Sequence, residues 1–143
     1  MIAPLRIGRL LLAGFAAGLI MNVGEAALHG RILAASTTAA YAALNRTVSP
    51  NPTNLVVLIV LTFAQAILML WVYAFVRPRF RTRYTAVVWV GLAAWFLSST
   101  YAAVYLNSGL PGILPSELIW VPVAWQLFEY PLAALVGAAT YGE

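Results

Sequence analysis

Several residue types that carry common chemistry are missing or scarce in this chain of 143 residues. It contains no cysteine, which excludes disulfide exchange, thiolate metal sites and cysteine nucleophiles. Its one histidine excludes a haem held by two histidines of the same chain. Charged residues make up 8% of the chain, against about 25% in typical soluble domains. This scarcity of charge argues against an ordinary soluble protein.

Apolar residues make up 63% of the chain and are gathered in long runs. Each run is close to the ~20 residues that an α-helix needs to cross ~30 Å of hydrocarbon. The pattern predicts an all-α membrane protein, a single integral domain over residues 1–143 with four transmembrane helices in an up-down bundle. The predicted spans are residues 10–29, 54–76, 86–106 and 118–141.

The arginines predict the orientation of these spans in the membrane. Arg6 and Arg9 precede the first span, and four arginines follow the second, whereas only Arg31 and Arg46 lie in the loop after the first span. By the positive-inside rule both termini are expected in the cytoplasm, and we expect the inner membrane of a bacterium. The net charge of +4 is therefore interpreted as a topology signal rather than a nucleic-acid surface.

The basic link between the second and third spans also predicts contact with lipid. Arginines beside an anionic leaflet contribute about 1 kcal/mol each to holding a chain at the surface. The predicted headgroup ligands are Arg77, Arg79, Arg81 and Arg83.

The loop after the first span is not featureless. Residues 31–46 place apolar side chains at helical spacing, which favours a short helix at the outer interface. The alternative is a continuation of the first span beyond the membrane.

Polar residues at helical spacing occur within all four spans. An ionisable residue in a membrane span indicates a functional site by default, because leaving it unpaired in hydrocarbon costs several kcal/mol. If the polar stripes turn inward, they form one buried site for a ligand or a proton. Its predicted members are Asn22, Glu25, His29, Gln65, Tyr101, Gln126 and Glu129.

Several chemistries fit this pattern. Glu25 and His29 stand four residues apart and, with Glu129, are candidate metal ligands. The same carboxylates are candidates for a proton or cation pathway, and the aromatic residues of the third and fourth spans are candidates for a cofactor or lipid pocket. The remaining alternative is that the polar groups only fix helix register. The sequence identifies no particular cofactor.

Three short runs are similar to features of small four-helix bacterial membrane proteins of unassigned function. They are residues 22–30 (NVGEAALHG) in the first span, residues 71–73 (WVY) at the end of the second, and Glu129 with Gly137 in the fourth. The resemblance covers the layout of the whole chain and implies no particular activity.

From these observations we expect an integral or accessory subunit of a homo-oligomer or larger membrane complex, with a polar network that can hold a ligand. The alternative is a small-molecule carrier coupled to protons or cations through Glu25 and Glu129. An enzyme is less favoured because the sequence offers no set of nucleophile, base and orienting group.

Overall fold

The computed structural model describes residues 6–49, 51–109 and 112–142. Within these ranges the regular structure is entirely helical, and four helical segments are long and apolar enough to cross a membrane. These segments confirm the predicted number of spans. They are Ile7–Ile32, Pro52–Arg79, Arg83–Gly109 and Ser116–Tyr141, each longer than its predicted apolar run.

Six α-helices make up most of these segments. The second helix is the short one that the loop pattern predicted; its place at a membrane interface stays a prediction. The helices are α1 (Ile7–Ala27), α2 (Ala34–Ala43), α3 (Pro52–Val76), α4 (Arg83–Trp95), α5 (Tyr101–Gly109) and α6 (Ser116–Tyr141).

Two of the spans contain a π-helical turn. One turn, Leu28–Ile32, ends the first span, and the other, Phe96–Thr100, joins α4 to α5. A π turn accommodates an extra residue and therefore rotates the residues that follow it relative to a regular helix. The third span consequently does not keep one face along its whole length.

The start of α3 shows how the sequence sets a helix boundary. The side chain of Asn51 accepts hydrogen bonds from the backbone N–H of Thr53 at 3.0 Å and of Asn54 at 3.3 Å. Pro52 occupies the first helical position, where its missing N–H costs nothing. The N-cap of α3 is therefore Asn51.

Small residues let the helices approach closely. α1 packs against α3 and α6, and α4 packs against α6. A Cβ atom added to Gly14 would lie 2.7 Å from the Cα of Ile67, and one added to Gly91 would lie 2.6 Å from the Cα of Pro131. The α1–α3 and α4–α6 contacts therefore depend on glycine at these positions, as helix pairs in membranes often do.

Contacts between the ends of the spans connect distant parts of the sequence. Arg9 Nη1, in the first turn of α1, donates to the carbonyl of Gly142 at 3.3 Å. At the other end of α6, Ser36 Oγ of α2 donates to Glu117 Oε2 at 2.7 Å. The start of α1 thus lies beside the end of α6, so these two helices run in opposite directions.

We predict that Gly91→Ala lowers the free energy of unfolding by about 1–3 kcal/mol, because the added methyl group forces the α4 and α6 backbones apart. Gly8→Ala is the matched control, since a Cβ there meets nothing within 4 Å. Thermal or denaturant unfolding of both variants in the same detergent measures the effect. Equal stability of the two variants would contradict the packing described for Gly91.

Candidate polar site between the spans

A chain of polar side chains connects three spans. His29 Nε2 lies 3.0 Å from Glu25 Oε2 within the first span. The amide of Gln126 in α6 donates to Glu25 Oε1, and the hydroxyl of Ser99 in the π turn of the third span donates to Gln126 Oε1. Gln126 is the central member, because it uses both ends of its amide to bridge two other helices.

A second polar group lies around the Tyr130 hydroxyl. Gln65 Nε2 of α3 donates to this hydroxyl at 2.8 Å, and Ser98 Oγ of the π turn lies 3.0 Å from it. The ring of Tyr130 is buried, with 4% of its surface exposed. The Tyr130 hydroxyl therefore ties α3 and the third span to α6 through one amide and one hydroxyl partner.

Glu129 is the most deeply buried carboxyl group in the described part of the chain, with 6% of its surface exposed. Its Oε2 accepts a hydrogen bond of 2.6 Å from the indole N–H of Trp125 on the same helix. Its Oε1 is buried and has no hydrogen-bond partner among the described residues. A Cβ atom on Gly24 would overlap the Glu129 carboxyl group, so glycine at this position provides the room that the carboxyl group occupies.

Glu129 also lines a groove between α1 and α6. The groove has a volume of about 470 Å³, and every other side chain along it is apolar or aromatic. Two of these side chains are strongly exposed on the outside of the protein, Val23 at 63% and Phe128 at 76%. The lining residues are Ile20, Val23, Gly24, Trp125, Phe128, Glu129 and Leu132.

A smaller cavity of about 280 Å³ lies between the second and third spans. Gln65 and Ser98 provide its polar groups, and both contact the Tyr130 hydroxyl. The rest of the lining is apolar, including Met69 and Leu97. Both polar side chains of this cavity therefore have hydrogen-bond partners, whereas Glu129 Oε1 has none among the described residues.

The structure brings together Glu25, His29 and Gln126, and it places Glu129 next to Gly24, one residue from Glu25. Asn22 does not join them, because its side-chain amide donates to the carbonyl of Gly18 on its own helix at 2.8 Å. The His29 side chain is 58% exposed, so it forms the outer end of the polar chain.

Tyr101 is not part of the site. It is 68% exposed and stacks on Tyr105 with ring centroids 6.5 Å apart. The prediction that Tyr101 belongs to the buried site assumed regular helical spacing along the third span. The π turn Phe96–Thr100 rotates the residues that follow it, and the prediction is wrong for this reason.

Sequence reasoning did not include Ser99 or Tyr130 among the polar site residues, and it considered Trp125 only as one of the aromatic candidates for a cofactor or lipid pocket. Trp125 stands four positions before Glu129 and one helical turn away, a spacing that places the two side chains on one face. Ser99 and Tyr130 gave no such signal, since serine and tyrosine are ordinary residues of membrane helices and their partners lie on other spans.

Among the described residues no three side chains of the histidine, cysteine, aspartate and glutamate types form a group that could hold a metal ion. Glu25 is turned toward Gln126 and His29, whereas the Glu129 carboxyl group is held by Trp125. Glu25, His29 and Glu129 are therefore not arranged as one ligand set, and the geometry gives no support to a metal site.

The four arginines of the basic link lie between α3 and α4. Arg77 Nη1 donates to the carbonyl of Phe80 at 3.1 Å, and Arg79 Nη1 donates to the carbonyl of Phe75 at 3.0 Å. Arg81 is exposed, and the Arg83 guanidinium lies 4.9 Å from the centre of the Tyr84 ring. The link thus presents a compact basic surface at one end of two spans.

We predict that Gln126→Leu lowers the free energy of unfolding by about 1 kcal/mol or more, because it leaves Glu25 and Ser99 without their interhelical partner. Thr62→Val is the control, because the Thr62 hydroxyl bonds only to the carbonyl of Leu58 on its own helix. Unfolding of both variants in one detergent is the measurement. A loss for Thr62→Val as large as that for Gln126→Leu would refute the bridging role.

Comparison of the chain with protein families, curated proteins and solved structures finds no match.

Proposed function

We propose that this protein is a carrier coupled to protons or small cations, and that Glu129 and Glu25 are its binding groups. The observation that carries the proposal is the carboxyl group of Glu129, which is buried and has one oxygen without a hydrogen-bond partner in the part of the chain that the structure describes. Such a group in hydrocarbon is stable with its own proton or beside a cation, but not as an isolated carboxylate. A group that alternates between these two partners is what coupled transport requires.

The polar chain supports the same role. It begins at His29, whose side chain is 58% exposed, and continues through Glu25, whose side chain is 27% exposed, to Gln126. Imidazole and carboxyl groups in hydrogen-bond contact are common elements of proton relays in membrane proteins. This series of hydrogen-bonded polar groups would give a proton or cation a route from one end of the first span into the interior of the protein.

The proposal includes an up-down bundle of the four spans with both termini in the cytoplasm of a bacterial cell, in its inner membrane. The arginine distribution favours this orientation. The contact between Arg9 and the carbonyl of Gly142 brings the start of the first span beside the end of the fourth, which supports both termini lying on one side of the membrane. In this orientation His29 faces the outside, and the arginines from Arg77 to Arg83 face the anionic lipids of the inner leaflet.

A second candidate is the role of a subunit in a homo-oligomer or larger membrane complex. The observation that favours it is the first part of α3, in which every residue from 52 to 61 is exposed. A helical stretch without a buried face has room for a neighbouring helix on any side. In this role the polar chain would fix the register of α1 against α6.

We predict that a reporter fused after Glu143 is cytoplasmic and that one inserted near Pro50 is external; both positions lie outside the described residues. An alkaline phosphatase fusion is active only outside the cytoplasm, and a green fluorescent protein fusion is fluorescent only in the cytoplasm, so the pair reports the side of each position. The reverse pattern would refute the proposed orientation and the outward position of His29.

We predict that proteoliposomes containing the protein move protons or sodium in response to an imposed gradient, and that Glu129→Gln abolishes this movement without unfolding the protein. A pH-sensitive dye inside the vesicles and radiolabelled sodium provide the two readouts. Glu117→Gln is the matched control, because Glu117 is exposed at the start of α6.

The double variant Glu25→Gln/Glu129→Gln separates the two candidate functions. A carrier loses its flux in this variant. A structural subunit instead loses thermal stability or its association with a second chain, measured by size-exclusion chromatography with light scattering in mild detergent. Flux at the wild-type rate in the double variant would eliminate the carrier.

A further inference from the structure

The groove between α1 and α6 carries one charged group in an otherwise apolar lining. Ile20, Val23, Phe128 and Leu132 offer no hydrogen-bonding atoms, and the indole N–H of Trp125 is already used by Glu129 Oε2. A ligand of this groove therefore needs a large apolar surface and a single group that complements a carboxylate. An anion is excluded by repulsion, and a strongly polar molecule would leave its other polar groups unsatisfied.

The position of Glu129 indicates the charge of the ligand group that would pair with its carboxyl group. Glu129 lies midway along α6, roughly 20 Å from the helix start at 1.5 Å per residue, and far from the arginines of the basic link. Among the described residues the hydrogen-bond donor to its carboxyl group is Trp125, whose side chain is neutral. In surroundings of low dielectric constant a cation beside this carboxylate is attracted far more strongly than in water.

The shape of the groove indicates the route of entry. Val23 and Phe128 are exposed within the lengths of the first and fourth spans, so the groove opens laterally between these two spans. Its volume of about 470 Å³ is within the usual range for pockets that bind small molecules. Trp125 and Phe128 add aromatic rings, which attract ammonium groups by cation–π contact.

From these features we propose that the groove binds a membrane-dissolved amphiphilic amine, with its ammonium group paired to Glu129 and its apolar body between α1 and α6. This inference rests on the proposed function in taking Glu129 as the cation-binding group, and it names the class of cation. A lipid headgroup offers the same ammonium chemistry, but headgroups stay at the interface, whereas Glu129 lies midway along its span.

The direct test is equilibrium binding of radiolabelled 4-phenylbutylamine to the full chain in phosphatidylcholine nanodiscs. We expect saturable binding of about one amine per chain. The neutral analogue 4-phenylbutanol has nearly the same apolar body and should compete ~10-fold or more weakly, because it lacks the charge that Glu129 recognises. Equal competition by the alcohol would overturn the proposal without requiring any variant.

Variants locate the site. Glu129→Gln should weaken amine binding ~10-fold or more, whereas Glu117→Gln, the same change at an exposed helix start, should leave it unchanged. Gly24→Ala keeps the charge but places a methyl group where the carboxyl group now lies, and it should also weaken binding; Gly8→Ala is its control. Wild-type affinity in Glu129→Gln would overturn the proposal.

Two further measurements distinguish the outcomes. Nanodiscs that contain phosphatidylethanolamine should bind the amine as well as pure phosphatidylcholine ones; displacement would assign the groove to a lipid headgroup and overturn the small-amine proposal. Saturable amine binding without proton or sodium flux would uphold this inference and eliminate the carrier. Flux that depends on Glu129, without saturable amine binding, would uphold the carrier and eliminate the amine site.

Discussion

A carboxyl group inside a membrane span has to find its partners within the protein, because hydrocarbon offers none. Much of this fold can be understood from that constraint. Glu25 obtains its partners from Gln126 on α6 and His29 one turn along its own helix, and these contacts fix α1 against α6. Glu129 obtains one partner from Trp125, and the space for its carboxyl group exists because residue 24 of α1 is glycine. Close approach of the helices and satisfaction of the carboxyl groups are therefore two aspects of one arrangement.

The departures from regular α-helix occur beside the same polar groups. His29 lies in one π turn and Ser98 and Ser99 in the other, and α6 contains Pro122 and Pro131 on either side of Gln126 and Glu129. Trp95 donates its indole N–H to the carbonyl of Val123, next to Pro122, at 2.8 Å. Irregular backbone at membrane depth is stable where it is buried in protein, and the Trp95 bond brings the third span against this part of α6. π turns within membrane and soluble helices alike are frequent at functional sites.

The length of the apolar runs was sufficient to predict the four spans, and helical spacing was sufficient to predict the short α2 helix and to place Glu25 and His29 one turn apart. These features depend on residues close in sequence, whose relative positions a regular helix determines. The prediction for Tyr101 failed because no residue type identifies a π turn in the sequence. The extra residue in such a turn changes which side of the helix the following residues occupy. Ser99 and Tyr130 were missed for a different reason: their importance comes from Gln126, Gln65 and Ser98, which the fold brings to them from other parts of the chain. Sequence patterns identify polar residues that need partners, but only packing decides which partners they obtain.

The carboxyl groups of Glu25 and Glu129 have unlike surroundings, and this difference bears on how a coupled carrier would work. Glu25 belongs to a chain of polar groups that ends at the exposed His29, whereas Glu129 lines an apolar groove between α1 and α6. A proton arriving along the polar chain and a hydrophobic cation arriving from the bilayer would reach neighbouring positions on α1 and α6 by separate routes. If both cations reach Glu129, that single carboxylate cannot neutralise both at once, so binding of either one would favour release of the other. Such competition at a shared group is the simplest physical basis for exchange, and it needs no second binding site elsewhere in so small a protein.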